Sequence, residues 1–214
     1  SGVSLRSLTC PSCHAKKVVQ FAAHLQGNVL YPVPHRQYVF SIPKIIRRYF
    51  LYDRKLLGKL AKCATTSLTT FFQTALNKKY GIPGIALAIQ SFTAKSTLLV
   101  TTADGLFTES GYFYVMPKVD LRPLAEIFRA SVLKMLQKEG RIGDAFIKMI
   151  MAWRHNSGFS VHNEVRIKPG DTKGIENLSQ ISDQRETSIH HPQHLFARQV
   201  ELCRKHRNSH LSFR

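Results

Sequence analysis

The first residues able to do chemistry are Cys10-Pro-Ser-Cys13-His14. Two thiolates from one tight turn make half of a tetrahedral zinc site, which needs four ligands. His14 or His24 could add to it, whereas Cys63 falls within a long helical pattern and Cys203 near the far end of the chain. Either the missing ligands lie before Ser1 or the pair is two free thiols in a reducing compartment. Cys10-x-x-Cys13-His14 is also the attachment signature of c-type haem, which would require export.

A second stretch interleaves cations with aromatics. His35-Arg36-Gln37 precedes Tyr38 and Phe40, and Arg47-Arg48 leads into Tyr49 and Phe50. That composition suits phosphate contact together with base stacking. Tyr38, Phe40 and Phe50 are expected in the core, while Arg36, Arg47 and Arg48 are expected to meet phosphate. Further along, Gly158-Phe-Ser-Val-His162 reads as a tight turn presenting one histidine at the start of a strand. A single histidine is more often a hydrogen-bonded structural residue than a base. No phosphate-cradling glycine loop or Gly-x-Ser-x-Gly elbow occurs in the sequence.

These residues need elements to hold them. Ala15 to Gln26 is compatible with a helix, and Gln37 to Ile42 suits a strand that Pro43 ends before a short helix through Phe50. Asp53 is placed to cap a long helix in which Leu57, Leu60, Ala61, Ala64, Leu68, Phe71, Phe72 and Ala75 recur at three and four. Residues 85–90, 97–102 and 112–116 read as strands, with a turn at Asp104-Gly105. Asp120 caps a second helix that ends before Gly140, and Asp144 caps a third running to about Trp153. A last short strand covers 164–167. The fold class is α+β, a mostly antiparallel sheet flanked by helices. The chain divides into an N-terminal zinc-binding remnant (1–30), one main domain (31–180) and a tail (181–214) that holds five of the ten histidines and is expected to be poorly ordered.

The charge is lopsided. Residues 1–103 contain one acid, Asp53, against fourteen Lys and Arg, a net of +13, while the remainder carries +5 of the total +18. A basic field over one half of a domain draws polyanions and gains affinity from released counterions. Nucleic acid is the expected partner and an anionic membrane surface the weaker one. The composition excludes a collagen, a coiled-coil rod and an acidic solvating chain. No apolar run is long enough to span a bilayer, and the N-terminus lacks the form of a signal peptide. The expected setting is the cytoplasm, without membrane association.

Four segments carry a resemblance: residues 10–17 (Cys-Pro-Ser-Cys-His-Ala-Lys-Lys), 33–43 (Val-Pro-His-Arg-Gln-Tyr-Val-Phe-Ser-Ile-Pro), 103–107 (Ala-Asp-Gly-Leu-Phe) and 158–162 (Gly-Phe-Ser-Val-His). In order and spacing, over roughly residues 8–180, the chain resembles the rolling-circle transposases of the ninety-one group of bacterial insertion sequences. The resemblance implies an N-terminal zinc module, here reduced to Cys10 and Cys13, ahead of a domain of the HUH endonuclease class. It also implies Mg or Mn held by a His-hydrophobic-His pair, a tyrosine that attacks DNA phosphodiesters, and single-stranded insertion ends as the partner. Lys16, Lys17, Arg36, Arg47 and Arg48 are the expected DNA contacts.

The chain departs from that pattern twice. Thr93 to Thr102, where the histidine pair belongs, is Ser/Thr-rich and has no histidine. Ile181 follows Ser179-Gln180 where the tyrosine should soon appear, and no tyrosine occurs beyond Tyr114. The strand left behind is expected to be short and the sheet incomplete. Both departures coincide with abrupt changes of composition, as shifts in reading frame would produce, leaving a copy without strand-cleaving activity. The nucleotide sequence of the locus should therefore encode a histidine pair and a tyrosine in neighbouring frames at these two places; their absence from both frames would refute the frame-shift origin.

Overall fold

A computed structural model describes residues 32–92, 95–153, 158–163, 165–169, 171 and 174. The expected helix at 15–26, the cysteine pair, Lys16, Lys17 and the tail beyond 180 lie outside the described residues.

Alternation builds the central strand. In β1 (His35–Ser41), Tyr38 and Phe40 point to one face and are fully buried. Pro43 then accepts the first turn of α1 (Lys44–Tyr52), with Ile46 N–H donating to the Pro43 carbonyl at 3.2 Å. The helix buries Ile46 and Phe50, one turn apart. Asp53 stops it and starts α2 (Lys55–Ala75), its Oδ1 accepting from Lys55 N–H at 3.1 Å. The apolar residues expected at three and four are buried along α2, except Ala75, and Leu56 is buried with them.

β2 (Ile85–Phe92) and β3 (Lys95–Ala103) form an antiparallel pair. The expectation of a short, poorly paired strand is overturned here: β3 runs nine residues and pairs with β1 from Thr97 to Ala103 and with β2 from Lys95 to Thr102. Its alternation accounts for this, because Leu98, Val100 and Thr102 enter the core on the face of Phe40, Tyr38 and Arg36.

The turn expected at Asp104-Gly105 is a bend between two sheets. The chain bends there out of the main sheet and continues as β4 (Gly105–Phe107), which pairs with β5 (Phe113–Val115) in a separate two-stranded ribbon. Only glycine permits the crossing, since a Cβ at Gly105 would lie 2.0 Å from the Tyr114 carbonyl oxygen.

Helix α3 (Arg122–Lys138) follows, with Asp120 Oδ1 accepting from Arg122 N–H at 3.0 Å and Gly140 left-handed (φ 65°) just past its end. Helix α4 (Asp144–Ala152) then leads to β6 (Ser160–His162) and β7 (Arg166–Ile167), which replace the single strand expected at 164–167. The five-stranded sheet has the order β2-β3-β1-β6, β7 also pairing with β1, and every pairing is antiparallel. The α+β class therefore stands.

Helices α2 and α3 cover one face of this sheet. Tyr38 meets Phe72 of α2 edge-on at 6.0 Å between ring centres, and Phe40 meets Phe128 of α3 at 4.8 Å. Phe128 in turn touches Phe159, the residue leading into β6, at 6.0 Å. Each buried large side chain of this kind contributes about 1.5–3 kcal/mol over leaving it in water. The aromatics expected in the core are in it. No helix among the described residues is long and apolar enough to cross a membrane.

Candidate functional site

Two of the segments that carry the resemblance, 103–107 and 158–162, each close on the segment 33–43, at opposite ends of β1. Segment 33–43, on β1, aligns with Ala103 through the pairing of His35. Asp104 N–H donates to the Pro34 carbonyl at 2.7 Å, joining it to 103–107. Segment 158–162 closes on it where Ser160 pairs with Ser41, and where a Cβ at left-handed Gly158 (φ 73°) would lie 2.9 Å from Pro43 Cβ. Gly158 is thus required both by its backbone and by the space beside it.

At the His35 end of β1 the carboxylate of Asp104 is fully buried. Its Oδ2 accepts from Arg36 at 3.0 Å and from Arg166 Nε at 2.9 Å. Arg36 and Arg166 face each other across the β1–β7 pairing, a placement that would repel without an anion between them. Around them Arg36 Nε, Asp104 Oδ1 and Tyr38 Oη are buried without a hydrogen-bond partner among the described residues. Burial raises the pKa of the Tyr38 phenol above its ordinary value, opposed by the Arg36 charge and by Asn163 beside it. The cluster carries one negative and two positive charges, so it repels a divalent cation rather than holding one.

The other face of the sheet carries the odd-numbered residues of β1 and β3. On β3 these include Thr97, Leu99 and Thr101, where the resemblance calls for metal-binding histidines. The two histidines among the described residues, His35 and His162, share that face. His162 aligns with Val39, four residues along β1 from His35, so the two imidazoles stand roughly 13 Å apart. Tyr38 points to the opposite face. The described residues of this sheet therefore do not fit the metal that the resemblance implies, and among the described residues no group of three or more His, Cys, Asp or Glu could hold one. Cys63 turns towards α3, where its thiol donates to the Ser131 carbonyl at 3.6 Å and burial pushes its pKa up to about 11. It is an apolar packing residue rather than a zinc ligand.

His162 is exposed rather than a core residue. His35 is the opposite, 6% exposed, and burial lowers its pKa to about 4 although its hydrogen bond to Val33 opposes the shift. No local pattern in the sequence marks that difference.

The three expected phosphate contacts in the described region are not brought together. Arg36, its side chain 12% exposed, is committed to Asp104. That engagement turns its guanidinium inward, towards a carboxylate it shares with Arg166. Arg47 donates Nε–H to the Ile42 carbonyl at 3.0 Å, along the flank of α1. Arg48 is exposed, its guanidinium 5.2 Å from the centre of the Tyr49 ring. No family model, curated protein or solved structure matches the chain.

Two outcomes are expected. Replacing Asp104 by Asn leaves Arg36 buried without its anion and should lower the unfolding free energy by about 3–5 kcal/mol, whereas Arg166→Gln, at a half-exposed position, should cost no more than about 1 kcal/mol. Equal losses in urea titrations of the two variants would show that the carboxylate is not the anchor. For His35, the folded state stays neutral down to about pH 4 while the unfolded chain takes up its proton near 6.5. Its contribution is therefore flat above pH 6.5, and stability falls between pH 6.5 and 4, by up to about 3 kcal/mol. The stability difference between the wild type and His35→Gln should shift by that amount over this window; a pH-independent difference would exclude a buried neutral imidazole.

Proposed function

We propose that this chain is a DNA-binding protein of the rolling-circle transposase type whose strand-cleaving chemistry has been lost. The observation that carries this is that residues 103–107 and 158–162 both close on residues 33–43, the former through Asp104 at the His35 end of β1 and the latter through Gly158 at the Ser41 end.

The charge distribution supports the same reading. Of the acids among the described residues, Asp53, Asp104, Asp120, Glu126 and Glu139 are each ion-paired to a Lys or Arg. Glu109, Asp144 and Asp171 are outside these pairs but are outnumbered by exposed cations such as Lys44, Arg54, Lys62, Lys134 and Lys148, which leaves a net basic surface suited to a polyanion. Loss of cleavage rests on the sequence of β3 and on the missing tyrosine. A tyrosine nucleophile keeps the energy of the broken phosphodiester in a covalent DNA adduct for rejoining.

The test is incubation with a single-stranded insertion-end oligonucleotide in Mg²⁺ or Mn²⁺. A salt-sensitive complex is expected, with no adduct surviving denaturation. A covalent adduct would overturn the loss of chemistry, and failure to bind DNA at low salt would overturn the reading as a whole.

A further inference from the structure

Helix α1 leaves a whole face uncovered. Lys44, Ile45, Arg48, Leu51 and Tyr52 are all exposed, and their spacing of one, four, seven and eight places them along one stripe. Ile46 and Phe50 hold the opposite side in the core. Tyr52 is 90% exposed, Leu51 57% and Ile45 39%. Large apolar side chains in water gain nothing for folding, so three of them on a nine-residue helix mark a contact surface.

The charge around this stripe selects the partner. No acid occurs from Ser41 to Tyr52, and Asp53, which follows, is neutralised by Arg141 at 2.7 Å. Arg48 stacks over Tyr49, which fixes its guanidinium beside the stripe before anything binds. Lys44, Arg48 and Tyr52 spread over about 12 Å, the rise of eight helical residues. A duplex would present only phosphates and base edges here, because its base faces are covered by their neighbours. An unstacked base has a free face for a phenol ring.

Resting on the DNA-binding reading above, we propose that the outer face of α1 grips single-stranded DNA, with a base stacked on Tyr52 and phosphates held by Arg48 and Lys44. The surface is distinct from the Asp104 junction, whose guanidiniums are already engaged.

The probe is a single-stranded oligothymidine of about twenty nucleotides, with a duplex of equal length and anionic phosphatidylserine vesicles as comparison arms. Tyr52→Ala should bind the single strand about ten-fold more weakly with an unchanged salt dependence, and should bind duplex as the wild type does. Arg48→Ala should lower the slope of log affinity against log salt by about 0.7, one phosphate on a single strand. Lys134→Ala, an exposed cation on α3, should leave the slope and the preference for single strands unaltered. If the wild type binds the oligonucleotide and Tyr52→Ala matches it, the α1 surface is refuted while DNA binding stands. If the wild type binds neither nucleic acid, DNA binding itself fails. Binding to vesicles without binding to the oligonucleotide would assign the stripe to a membrane surface and overturn the proposal.

Discussion

A buried carboxylate must be paired, and in this protein that requirement is met by joining parts of the chain that are far apart. Asp104 sits where β3 leaves the main sheet to become β4, and its two partners come from β1 and β7. Arg36 and Arg166 would repel across their pairing, so the anion between them is what allows β7 to lie against β1. Strand β7 has only two residues, too few for its ladder alone to hold it. One ion triad thus sets the end of the sheet at which β1, β7 and the start of β4 meet.

The same triad separates the basic residues by role. A cation's contribution to binding depends on how much of it faces solvent, not on its presence in the sequence. Arg36 is turned inward, Arg47 is tied along the helix flank, and Arg48 faces out beside an aromatic ring. The core imposes this order. Tyr38 and Phe40 must pack on Phe72 and Phe128, which fixes the parity of β1 and so places Arg36 on the helix-covered side. On α1, burial of Ile46 and Phe50 turns Lys44, Arg48 and Tyr52 outward by the same logic.

The strand β3 is informative for another reason. Its sequence lacks the histidines that the resemblance calls for, yet it is a full central strand with neighbours on both sides. Strand formation needs only a period of two and apolar residues on the buried face, which Leu98 and Val100 supply. Chemistry needs particular side chains on the other face. A segment can therefore keep its place in a fold while losing the residues that act, and stability gives no guide to activity.

Most local structure was legible in the sequence because its causes are local. The three-and-four spacing marked α2, Asp53 and Asp120 marked helix starts, and β-branched and aromatic residues marked β1. The basic excess and the burial of Tyr38, Phe40 and Phe50 followed from composition and pattern. The bend at Gly105, the split of the last strand, the pairing of Arg36 with a residue 68 positions away, and the unequal burial of His35 and His162 did not. Each depends on which distant residue lies opposite, a matter of tertiary distance that no spacing along the chain encodes. Periodicity determined which elements form and that the surface would be cationic; only packing decided which charges are spent inside and which remain for a partner.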